Sequence, residues 1–359
     1  MRFGLVGLPA SGKTTVFQLL HRVKGETRPA SAGVAIAQVK VPDPRLDSLA
    51  ALFKPKKTTP VTLEYHDFHA PAKALPPGAT LDPQILAQLR TMDALLVVIR
   101  AFEDARVPHL KGSVDPARDM ALIASEFLMA DLEIVEKRIG RIEENLKKGK
   151  KEENPQELEL LKGCRERLEA GVPIRDLPLS LEEDRILRGF QLLTQKPHLY
   201  LFNTGETAPP FQDLPAPLQE ACRHQATACL TLPAKVELEM MELSPVEAAA
   251  FRRELGLPEP ALDRLIKACY DLLGLITFFT VVGDELRAWA IPRGSTALKA
   301  AGTIHSDMEK GFIKAEVVPF EALKASGSMA EARRHGLLRL EGKEYSVQDG
   351  DILTIRFSR

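Results

Sequence analysis

Gly7-Leu8-Pro9-Ala10-Ser11-Gly12-Lys13-Thr14 stands between a short apolar run, Phe3-Gly4-Leu5-Val6, and a segment over residues 15–20 that reads as a helix. Strand, glycine-bounded loop and helix in that order are the context that the pattern GxxxxGK[ST] requires. The glycines let the backbone wrap so that successive N–H groups face one anion, and the helix N-terminus adds partial positive charge. On this reading Gly7, Pro9, Ala10, Ser11, Gly12, Lys13, Thr14 and Thr15 bind phosphate. Lys13 reaches the β- and γ-phosphates and serves catalysis, and Thr14 offers its hydroxyl to Mg²⁺. The expected ligand is a nucleoside triphosphate.

The chain has 359 residues, enough for two or three domains. A hydrophobic share of 45% with 27% charged residues is ordinary for a globular protein. A formal net charge of −1 makes no global electrostatic case for DNA, RNA or a membrane surface, so such binding needs a local patch. No apolar run approaches the ~20 residues of a membrane span. The chain enters a strand without a charged and then apolar leader, so no signal peptide is expected and the expected location is cytoplasmic. Cys164, Cys222, Cys229 and Cys269 show no metal-ligand spacing and are expected to be buried or idle thiols.

Working outward, residues 34–41 alternate as a strand does. Asp43-Pro44-Arg45-Leu46 opens a helix to Phe53, with Asp43 as N-cap and Pro44 at the first helical position. A strand over 61–67, a Pro-rich stretch over 71–83, a helix near 84–91 and the apolar run 94–99 follow. Strands alternating with helices, some apolar on both faces, predict an α/β fold whose parallel sheet is covered on two sides. Near Pro116 the pattern changes. Leu128, Leu132, Val135, Ile139, Ile142 and Leu146 are spaced 4, 3, 4, 3, 4, a heptad seam that asks for a partner helix. Lys147-Lys148-Gly149-Lys150-Lys151 breaks it, and Leu158, Leu161, Cys164 and Leu168 line a second amphipathic helix. The economical solution is an inserted antiparallel helical coiled-coil hairpin with a basic tip. The alternative is two helices packed separately on the α/β body.

Ser180-Leu181-Glu182-Glu183 is a capping box that starts a helix to about Thr194, before Pro197. Strands over 198–202 and 228–232 and helices near 245–255 and 261–273 resume the α/β texture. Residues 1–115 and 180–274 are therefore expected to form one domain, with 116–179 as its insertion. Beyond it, strands over 277–282 and 285–291 flank a Gly283-Asp284 turn, and further strands are expected over 312–318, 337–340 and 352–357. Residues 275–359 thus read as a small α+β module whose core includes Trp289.

Several strings together resemble the YchF / Obg-like ATPase family, an Obg-related branch of the translation-associated P-loop NTPases. They are GLPASGKTT (7–15), VPDPRLDSLAALFKPKK (41–57), TMDALLVVIRAFED (91–104) and LTQKPHLYLFNTGE (193–206). More specific still are LDRLIKACYDLLGLITFFT (262–280), ELRAWAIPRGSTALKAAGTIHSDMEKGFIKAEV (285–317) and LRLEGKEYSVQDGDILTIRF (338–357). The resemblance implies a Ras-like P-loop NTPase domain, an inserted coiled coil and a C-terminal TGS-type, β-grasp-like domain. It also implies that Asn203, Thr204 and Glu206 face the base as NxxE, the form that goes with ATP over GTP. A guanine-selective site uses NKxD instead, and loss of that geometry lowers selectivity. The family often reads Ser-Ala-Lys after its last strand, which places Ala234 and Lys235 near the base. Here Pro233 precedes them and has no N–H to donate.

The γ-phosphate side departs further from the family. Where the family has Asp-x-x-Gly, this chain reads Asp67-Phe68-His69-Ala70. Asp67 is expected in the Mg²⁺ shell, and the Ala70 N–H near the γ-phosphate, although its Cβ restricts close approach. Pro71 occupies the position of a water-orienting side chain. The metal-binding residue of the first switch falls near Ser31, with Thr27 as rival. His69 either orients water or is a structural histidine. Three functions stay open: a slow Mg²⁺-dependent ATPase, a nucleotide-binding scaffold that has largely lost hydrolysis, and a GTPase. The family further implies ribosome or ribosomal RNA as partner through the hairpin and the TGS-type domain. The Lys147–Lys151 tip and the Lys54, Lys56, Lys57 cluster supply the charge, unless they are simply solvated faces. Neither membrane nor DNA is expected as a partner.

Overall fold

The computed structural model describes residues 1–22, 27–31, 33–69, 80–149, 155–206, 209, 213–257 and 260–358, the side chains of 27–31 and 221 excepted. The chain divides into two compact units, residues 1–39 with 64–268 and residues 40–63 with 269–359. The first begins with β1 (Arg2–Val6), α1 (Lys13–Arg22), β2 (Thr27–Ser31) and β3 (Val34–Lys40). The next elements, α2 (Pro44–Phe53) and β4 (Lys57–Thr59), belong to the second unit, and β5 (Thr62–Phe68) returns to the first. Then come α3 (Pro83–Leu89), β6 (Ala94–Ala101), α4 (Pro116–Lys147), α5 (Pro155–Glu169) and α6 (Leu181–Arg188). β7 (His198–Thr204), α7 (Ala216–Ala221), β8 (Thr227–Leu232), α8 (Ala234–Met240), α9 (Pro245–Glu254) and α10 (Ala261–Leu272) complete the series.

The first unit is an α/β P-loop fold on a seven-stranded sheet ordered β2-β3-β5-β1-β6-β7-β8. β1 runs parallel to β5 and to β6, and β6, β7 and β8 continue in parallel. Every residue of β7 is buried, as strands covered on both faces require. The all-parallel expectation fails at one edge, where β2 and β3 pair antiparallel. Only residues 32 and 33 join them, too few for a crossover, and Gly33 turns with φ +83°. Because β1 lies between β5 and β6, strand order reverses beside its carboxyl end. That is where a ligand crevice forms in such sheets.

Asp115 caps α4 by accepting from the Arg118 amide (3.0 Å), with Pro116 at the first position. α5 packs back along α4: Val135, Ile139 and Ile142 bury against Leu161, Cys164 and Leu168. Arg138 Nε donates to Glu157 Oε1 at 2.6 Å beside that seam. Leu146, the last residue of the predicted heptad series, is 41% exposed, so the seam stops short of the tip. The capping box on α6 forms, but the helix ends at Arg188 rather than near residue 194. Buried Asp131 takes the amides of Leu193 (3.0 Å) and Thr194 (2.7 Å), which holds that stretch in a 3-10 turn instead. The cysteine expectation is also corrected. Cys222 at the end of α7 and Cys229 in β8 are joined in a disulfide, their Cα atoms 6.2 Å apart, while Cys164 and Cys269 are buried outside any disulfide. Their spacing carried no sign of this, because the packing of α7 beside β8 sets the distance.

The second unit carries β9 (Leu275–Val282), β10 (Glu285–Pro292), α11 (Ala297–Ile304), α12 (Ser306–Lys310), β11 (Phe312–Pro319), α13 (Phe320–Ser326), α14 (Met329–Arg334), β12 (Arg339–Glu341) and β13 (Asp351–Phe357). Its six-stranded sheet is ordered β12-β11-β13-β9-β10-β4. Trp289 is half-buried, stacked at 12° on Phe278, and its indole donates to Thr280 Oγ1 (2.9 Å). The edge strand β4 pairs parallel with β10, and α2 buries Leu46 and Leu49 against Phe279, Leu286 and Val318. Arg45 fixes that helix by pairing with both Asp43 (2.8 Å) and Asp349 (2.8 Å). Burial alone would raise the Asp349 carboxyl, but hydrogen bonds from Arg45 and the Thr277 amide bring it below its ordinary value. Residues 40–63, expected within the N-terminal domain, thus belong with 269–359. An amphipathic helix announces its apolar face without saying which core that face joins.

Residues 269–359 expressed alone are therefore expected to lack a cooperative thermal transition, and fusing residues 40–63 to them should restore it. A cooperative melt of the bare fragment at an unchanged midpoint would show that α2 and β4 are dispensable.

Candidate nucleotide site

The loop after β1 is built for close approach. A Cβ on Gly7 would lie 2.6 Å from the Val98 carbonyl oxygen, so only glycine lets the strand end pack there. Ala10 adopts φ 63° and Gly12 φ 87°; the alanine holds a left-handed conformation at a cost of about 1 kcal/mol. The Ser11 amide donates to Leu8 O (3.2 Å) and that of Val16 to Gly12 O (3.0 Å), which closes the loop and starts α1. Ser11 is buried, and its Oγ has no hydrogen-bond partner among the described residues. Pro9, Ala10 and Thr14 are exposed, while Gly12, Lys13 and Thr15 are half-buried.

β5 delivers Asp67 to the same place. Its carboxylate is 1% exposed and pairs through Oδ1 with Lys13 Nζ. Lys13 also lies 3.5 Å from the Phe68 carbonyl oxygen. The other carboxylate oxygen, Oδ2, is buried without a hydrogen-bond partner among the described residues, and His69 Nε2 stands 3.4 Å from it. His69 itself is half exposed and is tied by its amide to Gly33 O (2.8 Å). Burial holds the neighbouring His66 below the ordinary imidazole value, against the opposing pull of Glu64 at 3.5 Å. A buried carboxylate oxygen without a hydrogen-bond partner and an exposed Thr14 hydroxyl at a helix start are oxygen donors of the kind a hydrated Mg²⁺ takes. Among the described residues no group of three or more His, Cys, Asp or Glu could hold a metal by itself.

Asn203 links this loop to the end of the sheet. It is 4% exposed; its Nδ2 donates to Ser11 O (3.0 Å) and its Oδ1 accepts from the Ala234 amide (3.2 Å). The amide also fills the space that a side chain on Gly12 would need. Pro233 costs nothing at this contact, because the donor is the residue after it. Thr204 is buried with an unpartnered Oγ1, whereas Glu206 and Lys235 are exposed, Lys235 lying 3.9 Å from Glu239.

Residues 7–15, Asp67, His69, Asn203 and Ala234 thus surround one loop, while Glu206 and Lys235 have no described contact with it. Ala70, Pro71 and the side chains of Ser31 and Thr27 lie outside the described residues. Sequence reasoning did not single out Arg100 or Phe102. Arg100, 2% exposed, donates to Phe102 O (3.1 Å) and Val107 O (2.8 Å), and its guanidinium lies 4.6 Å over the Phe102 ring. This places the Phe102 ring 3.8 Å from where a Gly12 Cβ would stand. A charged residue ending an otherwise apolar strand was the available signal.

Asn203→Leu should strand the Ser11 carbonyl and the Ala234 amide, costing on the order of 2–4 kcal/mol in urea unfolding. It should also weaken ADP binding at least ~10-fold, through a loosened loop. Unchanged stability with unchanged ADP affinity would dismiss the link.

Comparison with known proteins identifies relatives along the length of the chain. A family model described as "YchF-GTPase_C: Protein of unknown function (DUF933)" matches residues 275–358. The "Ribosome-binding ATPase YchF" of Bacillus subtilis (strain 168) is 40% identical over 361 residues, covering 99% of this chain and 98% of that one. The protein of the same name from Escherichia coli O157:H7 is 38% identical, again over 99% and 98%. A solved structure, "Structure of the Schizosaccharomyces pombe YchF GTPase", superposes with a TM-score of 0.81 at 29% identity, over 99% of this chain and 97% of that one. The chain belongs to the YchF family of P-loop NTPases.

Proposed function

We propose that this chain is a slow Mg²⁺-dependent ATPase, preferring ATP to GTP, that works as a ribosome-associated switch. The observation that carries the reading is the Lys13–Asp67 pair, an ammonium and a buried carboxylate at one loop, charges suited to a phosphate and to the shell of a metal. With nucleotide bound, Lys13 would turn to the β- and γ-phosphates, and Thr14, Asp67 and Ser31 would hold the metal that offsets developing charge. Gly7, Pro9, Ala10, Ser11, Gly12 and Thr15 complete the phosphate cradle, with Ala70 toward the γ-phosphate. His69, 3.4 Å from Asp67, is the group suited to orient water. On the base side, Asn203, Thr204, Glu206, Ala234 and Lys235 form the recognition set. Asn203 spends both ends of its amide inside the protein, and Glu206 replaces the guanine-binding Asp, which favours adenine. In domain terms, we read 1–115 with 180–274, apart from 40–63, as Ras-like, 116–179 as a coiled-coil hairpin and 275–359 together with 40–63 as a TGS-type module. The sequence His69-Ala70-Pro71 supports a second reading, a scaffold that binds nucleotide without turning it over.

Single-turnover ATP hydrolysis should exceed that of Lys13→Ala at least ~10-fold, and calorimetry should give tighter ADP than GDP binding. Equal rates in a wild type that still binds ADP would leave the scaffold; tighter GDP would overturn the adenine assignment.

The curated relatives carry "ribosome-binding" in their names, and the Lys147–Lys151 tip offers this chain a basic contact for RNA phosphates. Replacing Lys147, Lys148, Lys150 and Lys151 with Glu should abolish co-sedimentation with ribosomes at moderate salt. Unchanged co-sedimentation would remove the tip from the interaction.

A further inference from the structure

Away from the loop, the first unit holds a cavity of about 240 Å³ between α4 and the turns that precede β7 and β8. One wall is apolar, formed by Ala121, Ala124 and Phe127 of α4 and by Leu218 of α7. The small alanines leave the space that a larger residue would fill. Arg175 and the Tyr200 phenol, hydrogen-bonded to each other, also line it.

Arg175 is the informative residue. It donates through Nε to Thr227 Oγ1 (3.2 Å) and through Nη1 to Thr194 O (3.2 Å), which fixes the guanidinium at the cavity wall. Both acids whose charge reaches it are engaged elsewhere. Asp176 pairs with His224 and takes the Gln225 amide (2.8 Å). Asp131 is consumed by Arg90 (2.6 Å) and by the Leu193 and Thr194 amides. Burial lowers the Arg175 guanidinium from its ordinary value, yet a guanidinium keeps its charge in proteins. Burial likewise holds the adjoining His198 well below its ordinary value, so that ring is neutral and adds no second positive charge. Among the described residues no carboxylate pairs directly with this guanidinium, so its charge is held by neutral oxygens and stays available to an anion entering the apolar chamber.

We propose that this cavity binds a small monocarboxylic acid with an aromatic or aliphatic body, its carboxylate on Arg175 and its body against α4. A cavity of roughly 150 Å³ accepts benzene, so the volume here suits a ring with a short acidic arm. One guanidinium, with the other basic ring at the wall, His224, already taken by Asp176, matches a singly charged carboxylate better than a dianionic phosphate ester. Nothing in this assignment depends on the nucleotide reading.

The test is calorimetric titration of the full-length protein with 3-phenylpropionate, run with saturating ADP and Mg²⁺ so that the phosphate loop is occupied. Saturable binding is expected, weakened at least ~10-fold in Arg175→Met and equally for the neutral isostere 3-phenylpropionamide. Ala124→Leu, which fills the chamber while sparing the guanidinium, should abolish it. Should Arg175→Met fail to fold, the amide and Ala124→Leu decide. Equal binding of acid and amide, full affinity in either variant, tighter binding of phenyl phosphate, or no binding up to about 10 mM would each overturn the proposal.

Discussion

Asn203 is the contact on which the arrangement of the nucleotide site depends. One buried amide side chain satisfies a carbonyl in the loop after β1 and an N–H at the start of α8, and it occupies the space left by Gly12. Both contacts are buried, so the three segments keep one geometry or lose hydrogen bonds. The loop it braces contains a left-handed alanine and a left-handed glycine, conformations that hold only when their surroundings enforce them. The shape of this loop therefore rests on a polar contact buried beneath it, not on its exposed surface alone.

The electrostatics of the site follow from the sheet. β5 ends with Asp67 beside Lys13 because β1 and β5 pair in parallel, with Leu5 opposite Asp67. The buried carboxylate gains from the ammonium, while its second oxygen lacks a donor. That imbalance is of the kind found where a charged ligand completes a site. Arg175 presents the same logic with the opposite sign: a cation fixed in place whose neighbouring acids are already spent.

Much of this was legible in the residues. GLPASGKT gave strand, loop and helix; the periodicity of Val135, Ile139 and Ile142 gave the packed helix pair; and Asp43 and Ser180 marked their helix starts. These signals are local, carried by neighbours along the chain. The end of α6 was not legible, because Asp131, far away in sequence, removes the amides that would have continued the helix. The antiparallel edge was missed because β2 carries no strong pattern of its own. The short α7 and α8 have too few turns to show one.

By itself the sequence determined that a glycine-bounded loop stands between a strand and a helix, and that strands and helices alternate around it, since these depend on side-chain type and spacing. Only the tertiary structure decided which core α2 joins, that Cys222 meets Cys229, that Asn203 faces inward at both ends, and that Arg175 lines a chamber. Each of these is a meeting of groups distant along the chain or a direction taken by a side chain. Pattern and propensity specify an element and its apolar face; what that face or side chain meets is set by how the elements pack.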